Sequence, residues 1–248
     1  MIGVILAAGM AKRLRPLTDT KPKCLLEVGG KTLLQRTIDA MASAGVKELL
    51  LITGYREQMI RDFVDKAYHD SDLVFHFIDN ADYEHNNNIF SLWLAMEQLH
   101  GQEVLLMDSD ILCDPKAIHR VASQSQSALA MQRHELGEEE MKIVVDEAGR
   151  ITEISKTCRP ADAIGESVGI EKMTAAYTET LYHELRLMIL EEQLIDIFYE
   201  RAFERLIPQG HTFKVVDTTH YFSYELDTPE DLAHAQEVMP ESLKFIAK

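Results

Sequence analysis

Residues 4–34, VILAAGMAKRLRPLTDTKPKCLLEVGGKTLL, decide the fold of this chain. The apolar run at residues 2–6 predicts a buried strand, and the strand ends at three residues with little or no side chain, at positions 7–9. A loop of this kind lets a polyanion approach the backbone N–H groups closely. The basic residues that follow, among them Arg13 and Lys23, would neutralise the charge of that anion. The simplest ligand for this pattern is a nucleoside triphosphate.

Composition and charge restrict the class of protein. The chain has 248 residues, a formal net charge of −16 and 46% hydrophobic residues. This length fits one large α/β domain or two small ones, and because no low-complexity linker interrupts the chain, we predict a single domain over residues 1–248. The negative charge argues against nucleic acid as a partner, since phosphate backbones bind basic surfaces.

We expect neither a targeting segment nor a membrane span. No run approaches ~18 consecutive apolar residues, which is the length that a spanning helix needs. Met1 leads directly into the first predicted strand, without the basic segment of a secretory signal. The three cysteines, Cys24, Cys113 and Cys158, lie far apart without CxxC spacing, which indicates reduced thiols. These features predict a cytoplasmic protein.

Strands and helices alternate along the first half of the chain. Apolar runs at residues 48–53 and 73–78 predict strands, and amphipathic stripes at residues 32–44 and 56–67 predict helices. This alternation predicts an α/β, Rossmann-like fold whose central sheet is mostly parallel, with helices on both faces. Ligands of such sheets bind beyond the carboxyl ends of the strands, where the loop at positions 7–9 lies.

A smaller region, with a hairpin and a long helix, follows the predicted sheet. Residues 142–145 and 151–155 predict a hairpin. Thr174 is expected to cap a long helical region that reaches about Leu206, with Glu200 on its solvated side. Such a helix could cover the side of the sheet next to this smaller region, or it could form the contact of a homodimer.

Carboxylates follow two further predicted strands. The strand at residues 103–107 leads into Asp108 and Asp110, and the strand at residues 221–226 leads into Asp227. Two carboxylates that stand two residues apart at the end of a strand can share a hard cation such as Mg²⁺.

A polar stretch at residues 79–91 precedes a predicted helix that Asn87 or Asn88 would cap. The amide and hydroxyl side chains of this stretch, including Ser91, have two interpretations. They serve as caps and polar loop residues, or they contact the base or the ribose of a nucleotide.

The opening stretch resembles the nucleotidyltransferases that join an NTP to a phosphorylated sugar or alcohol and release pyrophosphate. Their pattern is roughly L-A-A-G-x-G-x-R-L-x-P-L-T-x-x-x-P-K-x-L, and Ala11 stands here in place of its second glycine. The added methyl group disfavours a positive φ at this position. The matching residues are Leu6, Ala7, Ala8, Gly9, Arg13, Leu14, Pro16, Leu17, Thr18, Pro22, Lys23 and Leu25. The sequence NNIFSL at residues 87–92 also resembles phosphocholine cytidylyltransferases, which favours CTP as the nucleotide.

The resemblance implies a nucleotide half over about residues 1–130 and an acceptor half over about residues 131–248. It also implies a role for each of the candidate residues. Mg²⁺ would bind Asp110 and Asp227, with Asp108 as a second ligand or an outer group. The acceptor would bind Lys156 through its phosphate and Glu166, in a G-E-x-x-G-I segment, through its polar or cationic end. Catalysis is assigned to Arg13, Lys23 and Lys156, and nucleotide binding to Leu6, Ala7, Ala8, Gly9, Arg13, Lys23, Asn88, Ser91 and Asp108.

Three functions are compatible with these residues. The first is a cytidylyltransferase that acts on CTP and a small phospho- or phosphono-alcohol, such as phosphocholine, 2-aminoethylphosphonate or a polyol phosphate. The second is a hexose-1-phosphate nucleotidyltransferase that uses UTP or dTTP. The third is a regulatory subunit that binds a nucleotide without turning it over, and the presence of all the charged candidate residues argues against it.

Overall fold

The computed structural model describes residues 1–245. Its strands, in chain order, are β1 (Ile2–Ala7), β2 (Glu27–Val28), β3 (Lys31–Thr32), β4 (Glu48–Thr53), β5 (Val74–Asp79), β6 (Val104–Asp108), β7 (Ile111–Cys113), β8 (Ala128–Gln132), β9 (Lys142–Val145), β10 (Ile151–Ser155), β11 (Gly165–Met173), β12 (Lys214–Asp217) and β13 (Ser223–Glu225). Its α-helices are α1 (Leu33–Ser43), α2 (Glu57–Tyr68), α3 (Asn88–Leu99), α4 (Pro115–Ala122), α5 (Ala175–Arg186), α6 (Glu200–Leu206) and α7 (Pro229–Val238).

Within these residues, nine strands form the central sheet. Strand β1 lies between β4 and β6, and β5 extends the sheet beyond β4, all four strands being parallel. Strand β11 continues the sheet antiparallel to β6 and also pairs with β8 and with β9 of the β9–β10 hairpin. The predicted α/β, Rossmann-like architecture, with a hairpin on the acceptor side, is confirmed.

Alternate side chains of the central strands enter two hydrophobic layers. On β1, Val4 and Leu6 pack with α3, α5 and α6, whereas Ile5 and Ala7 pack with α1, α2 and α4. A strand with helices on both faces needs apolar residues at successive positions, because its side chains alternate between the faces. This arrangement explains why the first apolar run has no polar interruption, and it fixes the loop after β1 at the edge of the core.

The long helix predicted from Thr174 to about Leu206 is wrong. Helix α5 begins after the Thr174 cap, passes into a π-helical turn at Leu187–Glu191 and ends there. Gln193 has a φ of 60°, a left-handed conformation through which a right-handed helix cannot continue. The chain becomes helical again only at α6.

The expectation that Glu200 is solvated is also wrong. Glu200 is the first residue of α6 and is only 7% exposed. On one continuous helix from Thr174, Glu200 would lie on the solvated side. The break after α5 instead redirects the chain, so that the start of α6 is buried.

Two expectations drawn from composition concern membrane spans and cysteines. Along residues 1–245, none of the helices combines the length and the apolar character needed to cross a membrane. The three cysteines are buried free thiols. Burial raises the pKa of the Cys113 thiol to about 12, which suits the quiet, reduced thiol that the sequence indicates.

Candidate active site

A cavity of 640 Å³ lies where the chain leaves β1 and β6. Its lining includes every residue that the sequence analysis assigned to catalysis, binding or metal coordination. These residues are Leu6, Ala7, Ala8, Gly9, Arg13, Lys23, Asn88, Ser91, Asp108, Asp110, Lys156, Glu166 and Asp227. The structure therefore brings all of the candidate residues to one place, and their individual roles stay predictions.

The loop after β1 contains the departure from the family pattern. Ala11 has a φ of 47° and a ψ of 55°, in the left-handed region that glycine adopts most easily. The Thr18 hydroxyl, in a residue only 1% exposed, donates to the carbonyl oxygen of Ala11 at 2.9 Å. The loop thus adopts the positive φ that the methyl group disfavours, at a cost of roughly 1–2 kcal/mol.

A two-stranded sheet brings three distant carboxylates together. Strand β13 pairs antiparallel with β7, and Glu225 stands opposite Ile111. Asp110, Glu225 and Asp227 each offer one carboxylate oxygen, and these oxygens lie within 4.8 Å of one another. Burial, together with the charges of Asp110 and Asp227, raises the pKa of Glu225 to about 7. Such an acidic cluster needs positive charge to be stable at neutral pH.

Lys23 lies between two of these carboxylates. Its Nζ donates to Asp110 Oδ2 and to Asp227 Oδ1, at 2.9 Å in both cases. Burial lowers the pKa of Lys23, but the two carboxylates outweigh burial and raise the pKa above its ordinary value. Arg13 adds a second positive charge, donating to Asp227 Oδ2 at 2.6 Å while 65% of its side chain stays exposed. Together these two cations offset part of the negative charge of the carboxylates.

The donor set fits a hard divalent cation. Asp110 Oδ1 is buried and has no hydrogen-bond partner among residues 1–245. Carboxylate oxygens are the ligands that Mg²⁺ prefers in proteins. Glu225 joins the two predicted ligands, although the sequence analysis did not single it out. A signal was present, because Glu225 stands two residues before Asp227, the spacing that places two strand side chains on one face.

Asp108 lies outside this group of three oxygens. Its Oδ2 accepts a hydrogen bond from the Tyr199 hydroxyl at 3.0 Å, and the same hydroxyl lies 3.4 Å from Glu171 Oε2. Burial raises the pKa of Asp108 well above its usual range, and the nearby charges of Asp110 and Glu200 add to the effect. Of the two roles predicted for Asp108, this position fits a group outside the direct metal ligands better than a second ligand.

Amide and hydroxyl side chains form one wall of the cavity. Asn80 and Asn86 exchange side-chain hydrogen bonds of 2.7 and 3.2 Å, and Asn80 also donates to Ser91 Oγ at 3.0 Å. Asn88 Oδ1 accepts a hydrogen bond from the backbone N–H of Tyr199 at 2.9 Å. These bonds fix the side chains that the sequence analysis proposed for contact with a base or a ribose.

Charged side chains and an aromatic ring line another part of the cavity. Lys156 Nζ lies 3.6 Å from Glu139 Oε2 and 4.6 Å from the centre of the Phe198 ring. Glu166 Oε2 lies 2.7 Å from His134 Nε2. Burial raises the pKa of Glu166, and the hydrogen bond from His134 opposes that effect. Lys156 and Glu166 therefore both line the cavity, but Glu166 already has a partner.

Comparison with known proteins gives relatives that cover most of the chain. A CMP-5'-(3-aminopropyl)phosphonate synthase from Streptomyces rubellomurinus is 30% identical over 240 residues, which are 94% of this chain and 38% of that protein. The chain thus spans well under half the length of this relative. A CTP:phosphoglutamine cytidylyltransferase from Campylobacter jejuni is 25% identical over 253 residues, covering 94% of this chain and 98% of the relative.

The fold and the family have independent support. The structure of CTP:phosphocholine cytidylyltransferase from Streptococcus pneumoniae has a TM-score of 0.81 to this chain at 23% identity, covering 96% of this chain and 99% of the other. That likeness shows a shared fold. The MobA-like NTP transferase domain matches residues 3–189. The chain therefore belongs to the MobA-like NTP transferase family.

Proposed function

We propose that this chain is a Mg²⁺-dependent cytidylyltransferase. It transfers CMP from CTP to a phosphorylated or phosphonylated small alcohol, such as phosphocholine or 2-aminoethylphosphonate, and releases pyrophosphate. The observation that supports this function most strongly is the convergence of Asp110, Glu225 and Asp227 around Lys23, next to the loop after β1. A site built of carboxylates and movable cations suits a reaction between two anions.

The reaction needs no general base. An oxygen of the acceptor's phosphate or phosphonate group attacks the α-phosphorus of CTP and forms a new P–O bond. The bond between the α-phosphorus and the bridging oxygen breaks, and pyrophosphate leaves with that electron pair. Because the attacking oxygen is already anionic near neutral pH, catalysis depends on positioning and on neutralisation of charge.

The residues of the cavity supply both positioning and neutralisation of charge. Asp110, Glu225 and Asp227 would hold Mg²⁺, which would neutralise charge on the phosphate oxygens. Lys23 and Arg13 would stabilise the negative charge of the triphosphate and of the departing pyrophosphate. Lys156 holds the anionic group of the acceptor.

The choice of CTP is supported by the polar wall around Asn88 and Ser91 and by the cytidylyltransferases among the relatives. Side-chain amides and hydroxyls can pair with the exocyclic amine, the carbonyl and the ring nitrogen of cytosine. The amides in this wall are fixed by neighbouring hydrogen bonds, so they present defined donors and acceptors.

The test is a pyrophosphate-release assay with each NTP against a panel of phosphorylated and phosphonylated acceptors in Mg²⁺. We expect turnover with CTP and a small amino- or trimethylammonio-alcohol derivative. Turnover restricted to UTP or dTTP with glucose 1-phosphate would favour the hexose-1-phosphate enzyme instead. Nucleotide binding without turnover of any pair would favour the regulatory subunit.

A further inference from the structure

A second acidic group in the cavity has no role in the proposed metal site. Glu200 lines the cavity, and its Oε2 is buried without a hydrogen-bond partner in the part of the chain that the structure describes. A carboxylate oxygen that loses its water without gaining a partner is unfavourable. A ligand in the cavity that carries a positive charge can supply the missing partner.

The neighbours of Glu200 suit a cation next to an anion. Phe198 lines the same cavity, is 42% exposed and already lies against the ammonium group of Lys156. An aromatic face and a carboxylate are the two groups that proteins use to hold an ammonium ion. Lys156 lies close enough for its charge to act on Glu200. The cavity therefore offers a site for a negative group and a site for a positive group side by side.

Glu166, the sequence-based candidate for the cationic end of the acceptor, is less suitable. Its carboxylate is already paired with the imidazole of His134. Burial lowers the pKa of His134, but its contacts with Glu166 outweigh burial and raise the pKa, which favours the protonated imidazole. Glu166 is thus neutralised from within the protein, whereas Glu200 keeps an unpartnered oxygen.

We propose that Glu200, with Phe198 beside it, binds an ammonium group of the acceptor, so that the acceptor is a zwitterion whose phosphate or phosphonate group lies on Lys156. This assignment rests on the proposed function and narrows its acceptor class. Sugar phosphates and polyol phosphates would offer the Glu200 carboxylate only neutral hydroxyl donors, without a positive charge to balance its own. Primary or quaternary ammonium groups at the end of a short alkyl chain would satisfy it.

The test compares two acceptors of equal length, 2-aminoethylphosphonate and 2-hydroxyethylphosphonate, with CTP and Mg²⁺. We expect the wild type to prefer the ammonium compound by about 10- to 100-fold in kcat/KM, the range for a hydrogen bond between charged groups. The Glu200→Gln variant keeps the shape of the side chain and should lose that preference, mainly through a higher KM for the ammonium compound. The readout is the ratio of kcat/KM for the two compounds, which should approach one in Glu200→Gln.

Three further variants make the test specific. Glu191→Gln alters an exposed glutamate nine positions earlier and should keep the preference. Glu166→Gln tests the competing assignment. Phe198→Leu alters an exposed side chain without a buried charge, and it should lower the preference by about threefold or more. If Glu200→Gln does not fold, the Phe198→Leu variant still tests the assignment of the ammonium site.

The assignment is overturned if the wild type shows no preference, or if Glu200→Gln keeps it while Glu166→Gln loses it. Absence of turnover with every NTP would instead count against the cytidylyltransferase itself. In that case, calorimetric titration still tests the assignment by comparing how tightly the two phosphonates bind. Tighter binding of the ammonium compound to the wild type, lost in Glu200→Gln, supports the assignment, and equal binding of the two compounds contradicts it.

Discussion

Replacement of Glu200 by glutamine should change the pH dependence of stability in a calculable way. Burial raises the pKa of Glu200 from 4.5 to about 7, although the charge of Lys156 opposes the shift. Folding therefore favours the neutral carboxyl below about pH 7, and the carboxylate predominates above it. The stabilising contribution of this proton is complete below pH 4.5 and is lost as the pH rises through about 7.

The magnitude follows from the two pKa values. One pKa unit corresponds to about 1.4 kcal/mol, so the free energy of unfolding should lose about 2–3 kcal/mol through Glu200 between pH 5 and pH 8. Glutamine cannot ionise and escapes this loss. We expect Glu200→Gln to be more stable relative to the wild type at pH 8 than at pH 5, by about 2–3 kcal/mol.

Urea denaturation of both proteins at pH 5, 6.5 and 8 measures this difference. Glu191→Gln, at an exposed position, is the matched control and should stay within about 0.5 kcal/mol of the wild type at each pH. A difference between Glu200→Gln and the wild type that is the same at all three pH values would refute the reasoning. Glu200 would then be ionised in a well-solvated or fully paired environment.

Two further predictions concern the loop after β1 and the carboxylate cluster. Ala11→Gly should raise the free energy of unfolding by roughly 0.5–1 kcal/mol, because glycine accepts the left-handed conformation without strain but has more freedom when unfolded. A lower urea midpoint in Ala11→Gly would contradict this account. Lys23→Met leaves Asp110 and Asp227 without their ammonium partner, so its Tm in EDTA should fall below that of the wild type. Added Mg²⁺ should raise the Tm of Lys23→Met more than that of the wild type, and an equal response would exclude competition between Lys23 and the metal ion.

The parts of the fold that depend on neighbouring residues could be predicted from the sequence. Strand β4 occupies the predicted residues, since a short apolar run at residues 49–52 is followed closely by Gly54, which ends the strand. For the N-cap of α3, the sequence leaves two candidates, Asn87 and Asn88. The structure selects Asn87, whose side chain accepts from the N–H of Asn88. Identical side chains at adjacent positions left the sequence no means of choosing between them.

The parts that depend on distant residues could only be predicted in part. The sequence analysis did not identify Glu225 as a candidate metal ligand, because Glu225 comes close to Asp110 only through the pairing of β13 with β7. Glu200 was assigned to solvent because its burial depends on the left-handed turn at Gln193, and a hydrophobic stripe does not reveal such a turn. Asp227 lies beside Asp110, as the family resemblance implies, and its role as a metal ligand stays a prediction.

The central claim is that the carboxylates around Lys23 carry a metal-assisted nucleotidyl transfer. The most direct test is pyrophosphate release by the wild type and Asp110→Ala with CTP and 2-aminoethylphosphonate in Mg²⁺. Asp70→Ala, at a side chain that is 98% exposed, serves as the control. We predict that Asp110→Ala lowers kcat by about 10²–10³-fold while its Tm shows an intact fold, and that Asp70→Ala does not. Near-normal turnover by a folded Asp110→Ala variant would contradict the account.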